Sequence, residues 1–245
     1  MLSRAYYDLH IHSALSPCGD DEMTPASIAG MAYIKGLNVV ALTDHNTCGN
    51  CSAFTKACDE YVIISICGAE LTTSEDIHIL SLFETLEGAL EFDLFLKDKR
   101  NLFPNEPSVF GNQYYMDEKD NILSTEPSLL INALDISIDD VSDLVLRYGG
   151  VAIPSHIEKS SNSVSSILGT VPNVFPTYEV SDLLQLDSLK KAYPFMKNKV
   201  VISDSDAHVL WNITEKENYF ELSCDLSDKS EVIKEIFHVL KGGYV

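Results

Sequence analysis

His10 and His12 stand two positions apart in an apolar stretch near the start of the chain. Successive side chains of a strand point to opposite faces, so an extended backbone here places both imidazoles on the same face. Two imidazoles on one face are a suitable start for a metal site. The H-x-H pair alone is only moderately specific, because two structural histidines produce the same pattern.

The remaining histidines strengthen the metal hypothesis. Six of the seven histidines stand at or near predicted strands or the loops that follow them: His10, His12, His45, His78, His156 and His208. His238 lies in an amphipathic helical pattern, where a surface or core role is expected. In parallel α/β folds the carboxyl ends of the strands meet in one crevice, so distant residues come together there. The distribution predicts one histidine-rich site.

Carboxylates accompany these histidines near the same predicted strand ends: Asp20, Asp44, Glu70, Asp204 and Asp206. Asp204, Asp206 and His208 alternate, so an extended segment places the three side chains on one face. Mixed imidazole and carboxylate ligation suits Zn, Mn or Fe better than Ca or Mg. The set is too large for a single metal ion.

Six short motifs occur in a fixed order: Asp8-Leu9-His10-Ile11-His12, Thr43-Asp44-His45, Gly68-Ala69-Glu70, Ile77-His78-Ile79, Ser155-His156 and Ser205-Asp206-Ala207-His208. This order resembles the PHP (polymerase and histidinol phosphatase) family. The motifs run from residue 8 to residue 208 and cover most of the chain. The resemblance implies an α/β fold, namely a distorted (β/α)7 TIM-like barrel, with two or three divalent metal ions at the strand ends.

The resemblance also implies how nine ligands divide among the ions. The first ion would be held by His10, His12, Glu70 and Asp206. Glu70 would bridge to a second ion held by His78 and His156, and a third would be held by Asp20, His45 and His208. Asp8 and Asp44 are expected to orient ligating histidines rather than to bind metal. For Asp204, a solvated or capping role and a role in the site both remain open.

Two positions depart from the family pattern. The family has Ser-Asp-Gly soon after H-x-H, whereas here residues 16–21 read Ser-Pro-Cys-Gly-Asp-Asp. Counting back from Thr24-Pro25 selects Asp20, and Asp21 or Cys18 remain alternatives. After His156 the usual proline and downstream arginine are missing. Lys159 is expected to replace the missing arginine as a substrate-binding residue, although it offers a point charge rather than the two parallel hydrogen bonds of a guanidinium. The simpler interpretation is a solvent-exposed lysine without a role in the site.

Composition narrows the class of substrate. The chain has 245 residues, of which 45% are hydrophobic and 22% charged, which predicts one globular domain over 1–245 with a sizeable core. There are 37 acidic and 17 basic residues, giving a net charge of −20. Long nucleic acids bind through many Lys and Arg contacts to phosphate, so they are disfavoured as partners. A small phosphorylated substrate is expected.

The remaining composition bears on location. No charged leader with an apolar core precedes Tyr6, and no apolar run reaches the roughly 18 residues that span a bilayer. These features favour a soluble, cytoplasmic protein without a membrane partner, in which the six cysteines stay reduced. Cys48 and Cys51 form a C-x-x-C, but no second pair and no thioredoxin-like context support a zinc or redox role.

Alternating strands and helices are predicted to position the site. Strands are predicted at 5–12, 39–42, 62–66, 77–83, 151–154, 177–180 and 200–203. Helices are predicted to begin at Thr24-Pro25 and to cover 53–61, 138–148 and 229–240. This alternation indicates a parallel sheet or barrel. Residues 93–127 interrupt it with mixed charge, Pro and aromatics, and predict an insertion or lid.

The expected activity is hydrolysis of a small phosphomonoester, such as a nucleotide or sugar phosphate, by in-line attack of a metal-activated water. Three alternatives remain. A 5'-3' exonuclease on short oligonucleotides is disfavoured by the scarcity of Arg and Lys. An amidohydrolase-like enzyme also opens with H-x-H, but closes on a lone Asp rather than on the pair Asp206 and His208. A non-catalytic metal-binding module would not need suitable ligands at all nine positions.

Overall fold

The computed structural model describes residues 2–243 and contains a central mixed sheet flanked by helices. The strands are β1 (Ser3–Ile11), β2 (Val39–Leu42), β3 (Ile64–Thr72), β4 (His78–Phe83), β5 (Tyr114–Met116), β6 (Ile122–Thr125), β7 (Gly150–Pro154), β8 (Thr177–Glu179), β9 (Val200–Ile202) and β10 (Tyr219–Leu222). The α-helices are α1 (Pro25–Ile34), α2 (Cys51–Glu60), α3 (Leu86–Lys97), α4 (Pro107–Phe110), α5 (Ile138–Arg147), α6 (Val164–Leu168), α7 (Leu186–Ala192) and α8 (Lys229–Leu240).

The six-stranded sheet has the order β10-β1-β2-β3-β4-β7. Strands β1, β2 and β3 are parallel, whereas β4 runs antiparallel to both β3 and β7, and β10 runs antiparallel to β1. Strands β8 and β9 form a separate parallel pair, and a bridge from Ile11 to Ala207 joins the following segment to β1. The α/β class is confirmed. Seven regular β/α units are not, because β3 passes to β4 through a short loop without a helix.

Strand direction explains why the predicted ligands meet at one edge. The carboxyl ends of β1, β2 and β3 share an edge because these strands are parallel. Since β4 is reversed, its first residue, His78, lies at that same edge. Strand β7 is reversed again, which returns its carboxyl end, just before His156, to the same side.

Strand β3 is longer than the predicted strand 62–66, and Glu70 lies inside it rather than after it. Gly68 had suggested a strand end. In the structure it allows a close approach instead, because a Cβ at this position would lie 2.4 Å from the carbonyl oxygen of Ser81 on β4. The β3–β4 ladder continues to the pair Thr72 and His78, which holds Glu70 in regular strand geometry.

Apolar side chains fill both faces of the sheet. On β2, Val40 and Leu42 join one core cluster, while Val39 and Ala41 join the other, against α8. Burial on both faces explains the uninterrupted apolar sequence of this strand. Helix α1 begins as predicted, with Pro25 in its first turn and the Thr24 hydroxyl accepting the N–H of Ser27. Cys48 and Cys51 are buried free thiols, consistent with a packing role.

The predicted insertion, residues 93–127, begins inside α3, whose Leu96 is buried in the core. Its remainder contains α4 and the β5–β6 hairpin. Tyr114 donates its N–H to the carbonyl of Ala14, and the side chain of Asn50 bonds the backbone of Tyr114 and Met116. The segment therefore packs on the loops that border the ligand edge. Its role as a lid remains a prediction.

Within residues 2–243, none of the helices combines the length and apolarity needed to cross a bilayer.

Candidate metal centre

Eight of the nine predicted ligands come together at the common edge of the sheet: His10, His12, His45, Glu70, His78, His156, Asp206 and His208. Six of them are buried, and Asp206 and His208 are half-buried. Three overlapping groups each have ligand atoms within 4.8 Å of one another: His10, His12, Glu70 and Asp206; His45, Glu70 and His78; and His12, His45 and His208. The first group is the one that the resemblance implied, whereas the second has His45 in place of His156 and the third has His12 in place of Asp20.

Glu70 occupies the centre, and its two oxygens face different histidines. Oε1 lies 3.3 Å from His10 Nε2, 3.1 Å from His78 Nδ1 and 3.3 Å from His156 Nε2. Oε2 lies 3.5 Å from His12 Nε2 and 3.3 Å from His45 Nδ1. Oε1 thus faces His10 of the first proposed ion group as well as His78 and His156 of the second, so Glu70 contacts both groups.

Asp206 closes the first group of ligands. Its Oδ1 lies 3.4 Å from His10 Nε2 and 3.3 Å from His12 Nε2. Its Oδ2 accepts a hydrogen bond from Lys159 Nζ at 2.6 Å. One oxygen therefore faces the histidine pair, while the other holds the predicted substrate-binding lysine at the site.

Hydrogen bonds fix the tautomers of the first two histidines. His10 donates from Nδ1 to Glu179 Oε1 at 2.9 Å. Ser16 gives its hydroxyl proton to Asp44 at 2.7 Å, so its oxygen accepts from His12 Nδ1 at 3.0 Å. In these tautomers the two Nε2 lone pairs face each other at 3.1 Å. Two facing lone pairs require a cation or a proton between them.

Orphaned polar atoms show that this donor set fits metal ions. Four buried atoms of the cluster have no hydrogen-bond partner: His45 Nδ1, Glu70 Oε1, His156 Nδ1 and Asp206 Oδ1. Buried polar atoms without partners are costly, and a coordinated cation satisfies those that face the centre of the cluster. Imidazole with carboxylate suits Zn, Mn or Fe. The residues present therefore fit a divalent metal centre.

The charges of the cluster act strongly on one another. Burial by itself lowers the pKa of His10, but the charges of Glu179, Glu70 and Asp206 outweigh it and hold this pKa well above its usual value. Burial opposes ionisation of Glu70, yet the neighbouring His78 and His10 keep its pKa well below the usual range. Burial and the nearby His12 lower the pKa of His208 to about 4. The site therefore keeps Glu70 ionised, raises the pKa of His10 and lowers that of His208.

Two ligands sit on unusual backbone. His156 has φ 33° and Asp206 has φ 51°, both in the left-handed region that residues with a side chain rarely adopt. Such conformations cost about 1–3 kcal/mol each and cluster at functional sites. The backbone N–H of His156 is held by Glu179 Oε2 at 2.8 Å. The strained backbone at both positions indicates that the site requires these two side chains in fixed positions.

Glu179 is a functional residue that the sequence analysis missed. It is fully buried at the end of β8 and bonds both the ring of His10 and the backbone of His156. Metal-bound histidines commonly donate their second ring N–H to a carboxylate, which fixes the ring and makes it a better ligand. The only sequence signal was a glutamate near the end of a short predicted strand.

The other carboxylates divide by role. Asp44 bonds Ser13 and Ser16 and thereby orients His12, as expected. Asp8 acts on backbone instead, accepting the N–H groups of Ser205 and Thr214. Asp204 is buried and accepts the N–H of Leu9 at 2.6 Å, so it is neither solvated nor a helix cap, and it ties the segment after β9 to β1.

The structure does not bring Asp20 into the cluster. Asp20 is exposed, and its carboxylate accepts the backbone N–H of Glu22 at 2.8 Å. Only its backbone reaches the site, where its N–H donates to the carbonyl of His208 at 2.9 Å. The carboxylate of Asp21 accepts from the side chain of Asn112. As a metal ligand, Asp20 remains a prediction without support from its position.

A cavity of about 200 Å³ opens onto the cluster. It is lined by Cys18, His45, Glu70, His78, Ile131, His156, Lys159, Ser161, Asn162, Asp206 and His208. Lys159 is the one lysine or arginine in this lining, and no residue of 93–127 belongs to it. A larger cavity of about 460 Å³ borders α3 and α5, but its lining within the described chain has no histidine or cysteine. The smaller cavity, which is lined by histidines and carboxylates, is therefore the candidate substrate site.

Comparisons with known proteins found a family match, related sequences and similar folds. The PHP domain matches residues 8–145. A stretch of 79 residues is 38% identical to a 5'-3' exoribonuclease of Haemophilus influenzae, covering 31% of this chain and only 28% of that relative. A presumed metal-dependent phosphoesterase from Bifidobacterium adolescentis has a similar fold, with a TM-score of 0.58 and 18% identity over 98% of this chain and 96% of that one. 

A second solved structure, a lesion-specific endonuclease from Pyrococcus furiosus, superposes with a TM-score of 0.60 at 19% identity. The match covers 99% of this chain and 56% of the endonuclease. At such low identity these structures establish the fold alone. The PHP domain match covers more than half of the chain and includes four of the six motifs, through His78. The chain belongs to the PHP domain family.

Proposed function

We propose that this chain hydrolyses a small phosphomonoester, of the nucleotide or sugar phosphate type, in a reaction that depends on divalent metal ions. The observation that carries the proposal is the position of Glu70, whose oxygens lie 3.1–3.5 Å from histidines of both proposed ion groups. A carboxylate placed in this way suits a site with more than one cation. In such sites the cations stabilise both the attacking and the leaving oxygen of an in-line displacement at phosphorus.

Two groups of residues in the cluster would each hold one cation. His10, His12, Glu70 and Asp206 would hold one ion, and Glu70 with His78 and His156 would hold a second. Bound divalent cations supply Lewis-acid activation of a water molecule and of the phosphoryl oxygens. Glu179 and Ser16 keep the ring N–H groups of His10 and His12 turned away from the centre, so both Nε2 atoms stay available as ligands.

Lys159 is proposed to bind a phosphoryl oxygen of the substrate. Its ammonium lies at the cavity wall, with 40% of the side chain exposed, and uses one N–H for Asp206. Two further donors remain for a ligand. Burial lowers the pKa of Lys159, but the charge of Asp206 outweighs this effect and raises it, so the group carries its charge at neutral pH.

The size and charge of the cavity support a small substrate. Its volume is about 200 Å³, and the net charge of the chain is −20. A long nucleic acid needs a track of Lys and Arg along its backbone, whereas a single lysine lines this cavity. One phosphate group with a compact leaving group matches this setting better.

Nuclease activity on short oligonucleotides is the second candidate. It is favoured by the stretch shared with the 5'-3' exoribonuclease and by the fold shared with the lesion-specific endonuclease. The exoribonuclease match covers less than a third of that relative, so its activity does not transfer as a whole. An amidohydrolase or a non-catalytic module finds less support, because the ligand set is intact apart from Asp20.

One assay separates these candidates. Protein reloaded with Mn, Zn or Fe is incubated with a panel of nucleoside monophosphates and sugar phosphates, and in parallel with 5'-phosphorylated oligonucleotides of increasing length. Release of inorganic phosphate from the monoesters, without shortening of the oligonucleotides, is the expected result. Release of mononucleotides instead supports the nuclease. Hydrolysis of amides or lactones alone would contradict both.

A further inference from the structure

We propose that Cys18 is a metal ligand, completing a third cation site with His12, His45 and His208. The inference rests on the proposed metal-dependent function and deepens it. It assigns the fourth ligand of the third cation site, a position for which the resemblance implied Asp20. It replaces Asp20 in that role. The result would be a site with three imidazoles and one thiolate.

Three side chains at positions 18–21 of the loop after β1 have ligand chemistry, and the structure separates them. Asp20 is exposed and bonds the N–H of Glu22. Asp21 is exposed and accepts two contacts from Asn112, at 3.0 and 2.9 Å. Cys18 is also exposed, but it alone among them lines the cavity that His45 and His208 line. Both carboxylates are therefore engaged elsewhere, and the thiol is the one of the three side chains that reaches the cavity.

The loop holds Cys18 in this place through consecutive tight turns. Ser16 donates its N–H to Ser13 at 3.0 Å, and Gly19 donates to Ser16 at 2.9 Å. Gly19 must lack a side chain, because a Cβ there would lie 2.5 Å from the carbonyl of Ser13. Ser13 and Ser16 are tied in turn to the buried Asp44. The turn thus places residue 18 at the cavity and directs residue 20 outward.

Independent features of the cluster point to a cation beside Cys18. The ligand nitrogens of His12, His45 and His208 lie within 4.8 Å of one another. His45 Nδ1 is buried and has no hydrogen-bond partner, and His45 lines the same cavity as the thiol. His208 donates from Nδ1 to the carbonyl of Asp206 at 2.8 Å, which leaves Nε2 as its ligand atom. Three imidazoles therefore converge where one further ligand is needed for tetrahedral coordination.

The donor set predicts which metal the third site prefers. Three neutral imidazoles and one thiolate form a softer site than the carboxylate-rich pair around Glu70. Such a site selects Zn over Mn, while the Glu70 sites accept either. On binding, the Cys18 S–H bond breaks, the sulfur bonds the cation, and the proton passes to solvent.

Cobalt substitution tests this assignment without relying on activity. Co²⁺ bound by a thiolate gives a charge-transfer absorption in the near ultraviolet, which oxygen and nitrogen ligands do not give. Full-length protein stripped of metal is titrated with Co²⁺ as wild type and as Cys18→Ser, Asp20→Asn and Cys224→Ser. Cys224 is a half-buried free thiol far along the chain and serves as the matched control.

Among the three variants, we expect only Cys18→Ser to lose the absorption band. This variant should also bind about one ion per chain fewer than the wild type. A second readout needs no variant: Zn²⁺ should protect Cys18, but not Cys224, from alkylation, as mapped by mass spectrometry. A band that persists in Cys18→Ser, loss of an ion in Asp20→Asn instead, or absence of any band in wild type would overturn the assignment. The phosphomonoester assay tests the proposed function independently of the Co²⁺ band. A protein that shows the band from Cys18 but no hydrolysis would contradict only the proposed function.

Discussion

Glu179 binds two predicted ligands at once: its Oε1 lies 2.9 Å from His10 Nδ1, and its Oε2 accepts the backbone N–H of His156 at 2.8 Å. One buried carboxylate thus fixes the ring of one residue and the left-handed backbone of another. His10 would hold the first ion and His156 the second, and the Nε2 atoms of both lie 3.3 Å from Glu70 Oε1. Glu179 therefore couples the geometry of the two proposed ion sites.

Replacing Glu179 by Gln should weaken metal binding by about 10–100-fold, because a neutral amide supports the His10 ring less strongly than a carboxylate. Competition with a chromophoric chelator measures this affinity. Glu126→Gln is the matched control, since Glu126 accepts from Tyr115 and from the Ser128 N–H outside the cluster. Equal affinities for the two variants would show that Glu179 has only a packing role.

Replacing Lys159 by Ala should lower kcat/KM for a phosphomonoester by about 10–100-fold, the usual effect of losing a hydrogen bond to a charged group. Metal content should not change, because Lys159 is not a ligand. Lys56→Ala, an exposed lysine near Glu118, is the control. If Lys159→Ala loses metal in proportion to activity, the lysine acts by holding Asp206 rather than by binding substrate.

Metal affinity should rise with pH across the neutral range. Burial opposes protonation of His10, but the charges of Glu179, Glu70 and Asp206 hold its pKa well above the usual value. His10 therefore carries a proton in the metal-free protein, and a metal ion must displace it. Affinity should increase by about tenfold per pH unit for each proton released. Calorimetry in buffers with different heats of ionisation counts those protons, and an affinity independent of pH would refute this electrostatic picture.

Gly68→Ala should reduce the free energy of unfolding by about 1–3 kcal/mol, because the added methyl would overlap the Ser81 carbonyl on the paired strand. Urea unfolding of the metal-free protein measures the change. Gly30→Ala is the comparison, since its Cβ would meet only the flexible end of Tyr61, at 3.3 Å. If both variants are equally stable, the close approach of β3 to β4 is not needed for the fold.

Much of the site could be predicted because its ligands form local patterns at strand ends. His10 and His12 share a face through strand periodicity, and β2 was recognisable from an apolar run that ends at Thr43. The N-terminus of α1 followed from Thr24 and Pro25. Each of these signals depends only on neighbours in sequence.

The features that the sequence did not reveal depend on distant contacts. The reversal of β4 is set by its pairing with β3 and β7, not by its composition. Asp20 was selected by counting from Thr24, which takes no account of the turn that Gly19 makes over Ser13. Glu179 contacts His10 across 169 residues, and no local pattern marks such a pair.

The central claim is that Glu70 joins separate groups of ligands in a catalytic metal centre. The most direct measurement combines elemental analysis with phosphomonoester hydrolysis for wild-type protein and Glu70→Gln, each purified without chelators and reloaded with Mn, Zn or Fe. We expect two or three ions per chain in the wild type, and in Glu70→Gln the loss of at least about one ion with more than about 100-fold lower activity. A wild type holding less than about one ion per chain, or a Glu70→Gln protein with unchanged metal content and activity, would contradict the account.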